Sequence, residues 1–264
     1  MRLLVRAQPK GHSETEMIKY ALSAALAAIL SAAAPAQANT LVVDGTLFRQ
    51  AGGTTFDIWK INMQTAGSFS VNLAAYEAAQ NNVATAGYAT ADLNGDGELT
   101  WLDPDTHWYL DDGSATLSAA NHLARCDDIA NNCATVSNSI ISLATRTQEQ
   151  GADDGSIHFR RDPAFDISLA AGAYQYVIAD YRLTDAEAAA GINSGDGFSA
   201  PGGYVDPILD YADYRITFSS DTLNFARSGN TITVSQVPLP GAFWLFGSAV
   251  AGCSLRARRK TAAA

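Results

Sequence analysis

The stretch SFSVNL, Ser68–Leu73, alternates polar and apolar side chains at every position. Successive side chains of a β-strand point to opposite faces, so this pattern predicts a half-buried strand with Phe69, Val71 and Leu73 facing a core. The same period of two recurs in five further segments: Phe56–Asn62, Ala164–Leu169, Tyr174–Ala179, Tyr214–Phe218 and Thr231–Val234.

Gly, Asp, Asn and Ser fill the segments between these strands, as is typical of turns. Helix signals are few in this part of the chain. Thr184–Glu187 has the pattern of a helix-capping box, and Gly191 is expected to end that helix after a brief turn. Many short strands separated by turns predict an all-β antiparallel sandwich of jelly-roll type, which we assign to residues 39–236.

Three segments of this region carry a resemblance to a known family. They are the apolar-Asp-x-Trp strand at Phe56–Trp59, the Gly-x-Phe-x-Val-x-Leu strand at Gly67–Leu73, and LAAGAYQYVIADY at Leu169–Tyr181. With DGSIH at Asp154–His158, they resemble the prepeptidase C-terminal-like (PPC-like) β-sandwiches found in some secreted bacterial proteins. The resemblance implies a non-catalytic surface or binding module.

The charge of the predicted sandwich excludes one class of partner. The whole chain carries a formal charge of -10, and residues 39–236 hold 25 Asp and Glu, 21 of them Asp, against 9 Lys and Arg. A surface with this much negative charge repels phosphate backbones, and we therefore expect no nucleic-acid binding.

The stretch DLNGDGELTWLD, Asp92–Asp103, has the spacing of a calcium-binding loop. Asp92, Asn94 and Asp96 occupy positions 1, 3 and 5, and Gly97 stands at the sharp turn of position 6. Ca²⁺ takes six to eight hard oxygen ligands, which alternate residues of a tight loop can supply. The alternative is an acidic β-turn, since NGDG alone is ordinary turn sequence.

The second half of the loop departs from an EF-hand. Glu98 at position 7 is expected to offer its backbone carbonyl, Thr100 at position 9 to hold a bridging water, and Asp103 to replace the usual Glu at position 12, as in dockerin-like loops. Pro104 follows at once, and the segment after it is typical of a strand, so no exit helix is expected. The prediction is an EF-hand-like loop inserted between sandwich strands, holding a structural Ca²⁺.

The first 38 residues are expected to direct export. Met17–Tyr20 is a short basic start, Ala21–Ala34 is an apolar run, and Ala36–Ala38 is an A-x-A cleavage site, so the segment resembles a signal peptide with its true start at Met17. The alternative is a buried Ala-rich helix.

The last segment, residues 237–264, combines an apolar run with a basic tail. Pro240–Leu255 is 16 residues, or about 24 Å as a helix, which is short but able to span a bilayer. Val237, Pro238, Leu239 and Pro240, with the Trp244–Ser248 block and the basic tail, resemble the VPLPA variant of the PEP-CTERM sorting signals of Gram-negative bacteria, although Gly241 replaces the Ala.

That resemblance implies transient residence in the inner membrane, removal of the tail by an exosortase, and a final location at the cell surface or in the exopolysaccharide matrix. The alternative is a plain membrane anchor.

Two of the three cysteines are candidates for a disulfide. Cys126 and Cys133 lie seven residues apart in a polar segment, whereas Cys253 lies in the tail. In an exported protein this spacing predicts a disulfide between Cys126 and Cys133. A reduced pair or a pair of metal ligands is the alternative.

The sequence gives little support to catalysis. His12, His107, His122 and His158 follow no metal-ligand spacing, and there is no G-x-S-x-G motif. We therefore predict no enzymatic activity.

Two other functions remain open. Aromatic side chains, including Trp59, Trp101 and Trp108, could stack on sugars, or they could fill the core. The predicted function is a non-catalytic surface protein, with a polysaccharide-binding module and an extracellular glycan hydrolase as alternatives.

Overall fold

The computed structural model describes residues 39–75, 92, 94–98, 100, 102–114, 116–127, 133–136, 141–145, 162–195, 197–198 and 209–237. Within these ranges the chain forms thirteen strands and one short helix. The strands are β1 (Asn39–Gln50), β2 (Gly53–Thr54), β3 (Asp57–Met63), β4 (Gly67–Ala74), β5 (Pro104–Leu110), β6 (His122–Cys126), β7 (Cys133–Thr135), β8 (Ile141–Thr145), β9 (Ala164–Leu169), β10 (Gly172–Asp180), β11 (Tyr211–Ser220), β12 (Leu223–Ser228) and β13 (Thr231–Gln236), and the helix is α1 (Asp185–Ala190).

The strands form two sheets that pack across a common core. The first sheet has the order β2-β1-β11-β4-β9-β8, and every neighbouring pair is antiparallel. The second has the order β12-β13-β3-β10-β5-β6-β7, in which β13 and β3 are the parallel pair. The prediction of an all-β sandwich is therefore confirmed, with sheets that are mostly rather than wholly antiparallel.

The alternating segments form strands for the predicted reason. In β4 the side chains of Phe69, Val71 and Leu73 are buried, while Ser68 faces solvent. The other five segments coincide with β3, β9, β10, β11 and β13 to within three residues at each end. The period of two in the sequence thus corresponds to strands that bury one face.

Aromatic side chains join the two sheets in the core. The ring of Trp108 in β5 stacks on Tyr176 in β10 with centroids 4.4 Å apart. From the opposite sheet, Phe69 in β4 meets Trp108 edge-on at 6.2 Å and Phe225 in β12 at 5.6 Å. These offset and edge-to-face contacts are the geometries that aromatic pairs favour.

A second, smaller core lies on the other face of β10. Val177 and Ala179 pack there with Tyr109, Leu183 and Ala188 of α1. The helix begins at the predicted capping box, because the Thr184 hydroxyl accepts from the Glu187 amide and Glu187 accepts from the Thr184 amide. Gly191, with φ 76°, ends it in the left-handed conformation. Strand β10 is therefore covered on both faces.

Candidate functional site

The candidate calcium loop connects the two sheets. It follows β4 of the first sheet and precedes β5 of the second, as expected for a loop inserted between strands. Its end is fixed where the Leu102 amide donates to the Ala75 carbonyl at 3.1 Å. Leu99 and Trp101 lie outside the described residues.

The first half of the loop folds around its own acidic side chains. Asp92 accepts from the Gly95 amide at 2.5 Å and, through its other oxygen, from the Gly97 amide at 2.8 Å. Asn94 accepts from the Asp96 amide at 3.0 Å. Gly97 has a φ of 90°, a conformation that costs glycine little and other residues more, so position 6 makes the predicted sharp turn.

Strand β11 lies against this loop. The Asp213 amide donates to the Thr100 hydroxyl at 2.8 Å, and the Tyr211 hydroxyl donates to the Glu98 carboxylate. Asp213 is only 2% exposed. The Thr46 hydroxyl donates to its Oδ1 at 2.5 Å. The other oxygen, Oδ2, is buried and accepts no hydrogen bond of ordinary geometry from the part of the chain that the structure describes.

The electrostatics link Asp213 to the loop. Burial raises the pKa of Asp213, and the negative charges of Asp96 and Asp92 raise it further. Hydrogen bonds from the Thr46 and Asn94 side chains lower this pKa and partly offset the rise. An aspartate on β11 and the acidic side chains of the loop thus occupy one electrostatic neighbourhood. The sequence alone does not predict that Asp213 lies near the loop, because the two are far apart along the chain and no motif marks Asp213.

The predicted ligands have different surroundings. Asp92, Asn94 and Asp96 are linked within one turn, since Asn94 also donates to the Asp96 carboxylate at 2.9 Å. The Glu98 carboxylate accepts from the Tyr211 hydroxyl, and ion binding by its backbone carbonyl stays a prediction. Asp103 is buried just before β5. Among the described residues, no three His, Cys, Asp or Glu side chains converge as a ready-made metal site.

A buried histidine cluster is the second polar feature that the structure brings together. His107 Nδ1 lies 3.1 Å from His122 Nε2. The outer nitrogens each face a carboxylate, with His107 Nε2 at 3.2 Å from Asp105 and His122 Nδ1 at 3.0 Å from Asp185. Arg125 Nε lies 3.0 Å from the other oxygen of Asp105. We call these five residues the histidine cluster.

The two imidazole rings of the histidine cluster are buried. His107 is 1% and His122 6% exposed, and the ring of Tyr109 stacks on His122 at 4.7 Å. Burial lowers the pKa of His122, and the neighbouring His107 lowers it further, although Asp185 and Asp105 oppose this. The two histidines looked unrelated in sequence because they lie 15 residues apart, on neighbouring strands β5 and β6.

The predicted cysteine pair lies at one end of the second sheet. Cys126 and Cys133 are directly opposite in the register of β6 and β7, and their sulfurs are bonded. Residues 128–132, which connect them, lie outside the described residues.

The aromatic residues considered for sugar binding lie in the core where they are described. Trp108 is 0% and Trp59 5% exposed, and the guanidinium of Arg227 covers the Trp59 ring at 4.8 Å. Neither ring offers a free face for a sugar, so the core interpretation of these two residues is correct.

Several predictions concern residues outside the described ranges. They are the signal peptide with its start at Met17, His158, Pro238, Leu239 and Pro240 of the sorting motif, and the apolar run that follows them. Val237, the first residue of that motif, is described, and its amide donates to the Thr222 carbonyl at 3.1 Å. No helix within the described residues is long and apolar enough to span a bilayer.

Comparison with known proteins adds no relative from which function could be transferred. No family model matches the chain, and no curated protein or solved structure matches it either.

Proposed function

We propose that this chain is an exported, non-catalytic β-sandwich protein of the cell surface or extracellular matrix, whose β4–β5 loop binds a structural Ca²⁺. The observation that carries the calcium proposal is a tight turn in which hydrogen bonds from amide groups of the loop hold the side chains of Asp92, Asn94 and Asp96 together. Each carboxylate or amide oxygen has two lone pairs, so an oxygen that accepts one amide hydrogen bond can also ligate an ion.

The ion would order a connection between the sheets. The loop joins β4 to β5 and is fastened to β11 through Thr100 and Glu98. We therefore propose a structural site with an affinity in the weak extracellular range, about 0.1–1 mM. Asp103 completes the proposed ligand set at position 12.

The proposed fold family and the absence of catalysis rest on the sequence resemblance to PPC-like domains. Two observations support a non-catalytic role. His107 and His122 are enclosed in a hydrogen-bonded network, and Trp59 and Trp108 contribute to the core.

Export and sorting are proposed from the two ends of the chain. The signal peptide would direct the precursor to the inner membrane, and an exosortase would recognise Val237, Pro238, Leu239 and Pro240 and remove the tail. The sandwich would then reach the surface or the exopolysaccharide matrix.

Differential scanning calorimetry tests the calcium proposal. The wild-type chain should unfold at a higher temperature in calcium than in EDTA, because an ion at 100 times its Kd adds about 2.7 kcal/mol to the free energy of unfolding. Asp92→Ala with Asp96→Ala should abolish the difference. Asp111→Ala with Asp112→Ala, an acidic pair in another turn, should keep it. A wild-type melting temperature indifferent to calcium would refute the site.

A further inference from the structure

Asp213 on β11 is an acidic side chain with one oxygen that is buried and incompletely paired. Its residue is 2% exposed, and Thr46 on the neighbouring strand β1 satisfies Oδ1 at 2.5 Å. Oδ2 is enclosed, and no described residue donates to it in ordinary hydrogen-bond geometry. Buried carboxylate oxygens normally have a hydrogen-bond or ionic partner, so we expect a further partner at Oδ2.

The surroundings of Asp213 are negative rather than positive. Asp92 and Asp96 belong to the loop whose Thr100 contacts Asp213, and they bring further negative charge to its surroundings. Three carboxylates in one neighbourhood, one of them buried, are unfavourable unless a cation or a proton offsets their charge. Arg49, the basic residue of β1 nearest in sequence to Thr46, is instead engaged with Gly197 and Asp210.

The loop is held against β11 at Asp213 and at Tyr211, two residues earlier. The Asp213 amide donates to the Thr100 hydroxyl, and Tyr211 donates to Glu98. Together the two contacts join β11 to positions 7 and 9 of the loop.

We propose that Asp213 Oδ2 is a calcium ligand supplied from outside the loop, so that the ion bridges the β4–β5 loop and β11. This inference rests on the proposed calcium site and extends it. It explains why an acidic loop is docked beside a buried aspartate. The ion would tie the first sheet directly to the connection that leads into the second.

Isothermal titration of the purified full-length chain with CaCl₂ tests this assignment. Asp213→Asn keeps the shape of the side chain but removes its charge, so calcium affinity should fall by about tenfold or more. Asp221→Asn, an exposed aspartate in the turn after β11, makes the same charge change and should leave the affinity unchanged.

Thermal unfolding of the same variants in EDTA separates a lost ligand from a damaged fold. Without the ion, Asp213→Asn relieves buried repulsion, so it should unfold at the wild-type temperature or above. In calcium it should unfold below wild type.

Calcium binding by Asp213→Asn at wild-type affinity would overturn the ligand assignment while leaving the loop site intact. A lower melting temperature in EDTA as well as in calcium would also overturn it, since the residue would then support only the fold. No binding by wild type would overturn the calcium site itself, and the assignment with it.

Discussion

Tyr214 joins the two sheets through a single hydroxyl group in the core. The hydroxyl accepts from Trp59 Nε1 at 2.9 Å and donates to Asp57 at 2.5 Å. Burial raises the pKa of Tyr214 well above its ordinary value, and the Asp57 charge adds to this, so the phenol stays protonated and donates. Gly45 on β1 makes room, because a Cβ there would lie 2.3 Å from the Tyr214 ring.

Removal of this hydroxyl should destabilise the fold. Tyr214→Phe leaves the Trp59 donor and the Asp57 acceptor without their partner, at a cost of about 1–3 kcal/mol in the free energy of unfolding. Urea denaturation followed by fluorescence measures the loss. Tyr181→Phe, in the half-buried residue that follows β10, removes a hydroxyl that contacts the adjacent Arg182 and should change stability by no more than about 0.5 kcal/mol. Equal effects from the two substitutions would contradict the role of the inter-sheet bridge.

His122 should make the fold sensitive to mild acid. Its folded-state pKa lies below the ordinary value of 6.5. The unfolded chain therefore takes up a proton at His122 more readily than the folded chain. The stabilisation that neutral His122 contributes is fully present above about pH 6.5 and is lost as pH falls through the folded pKa.

Urea denaturation of wild type and His122→Gln from about pH 7.5 to 5.5 measures this effect. We expect the variant to lose less stability than wild type over this interval, although it starts lower at neutral pH. Identical pH slopes would show that His122 does not cause the effect.

At the scale of the elements, sequence periodicity found the strands that bury one face. It missed β1, because only Val43 and Leu47 of that strand are buried while apolar Val42 and Phe48 are exposed. It also missed β12, in which only Leu223 and Phe225 are buried. The short strands β6, β7 and β8 offer too few residues for a period to show. Pairing of β5 with β6 brings His107 to His122, and docking of the candidate calcium loop on β11 brings Asp213 to that loop. Local sequence pattern encodes neither contact.

The β6–β7 hairpin should depend on its cysteines. Cys126→Ala with Cys133→Ala removes the cross-link predicted from sequence and should lower stability by about 2–3 kcal/mol at most, because the loop is short. Mass spectrometry of non-reduced peptides tests the bond itself. Free thiols at both positions in protein recovered from the periplasm would contradict it.

At the scale of the whole molecule, the acidic sandwich is proposed to travel as a precursor with removable ends. Expression with and without an exosortase should give mature chains of different mass, the shorter one lacking the segment that begins near Val237. Substitution of Pro238 and Pro240 by Ala should prevent that shortening if the motif is what the enzyme recognises. A full-length tail in both hosts would leave only the plain membrane anchor.

The central claim is that one calcium ion orders the connection between the sheets. A crystal structure of the protein grown in calcium tests it most directly. We expect one ion at 2.3–2.6 Å from side-chain oxygens of Asp92, Asn94, Asp96 and Asp103 and from the Glu98 carbonyl, in the range that Ca²⁺ adopts with oxygen ligands. A loop that holds no ion at about 10 mM calcium, well above the expected Kd, would contradict it.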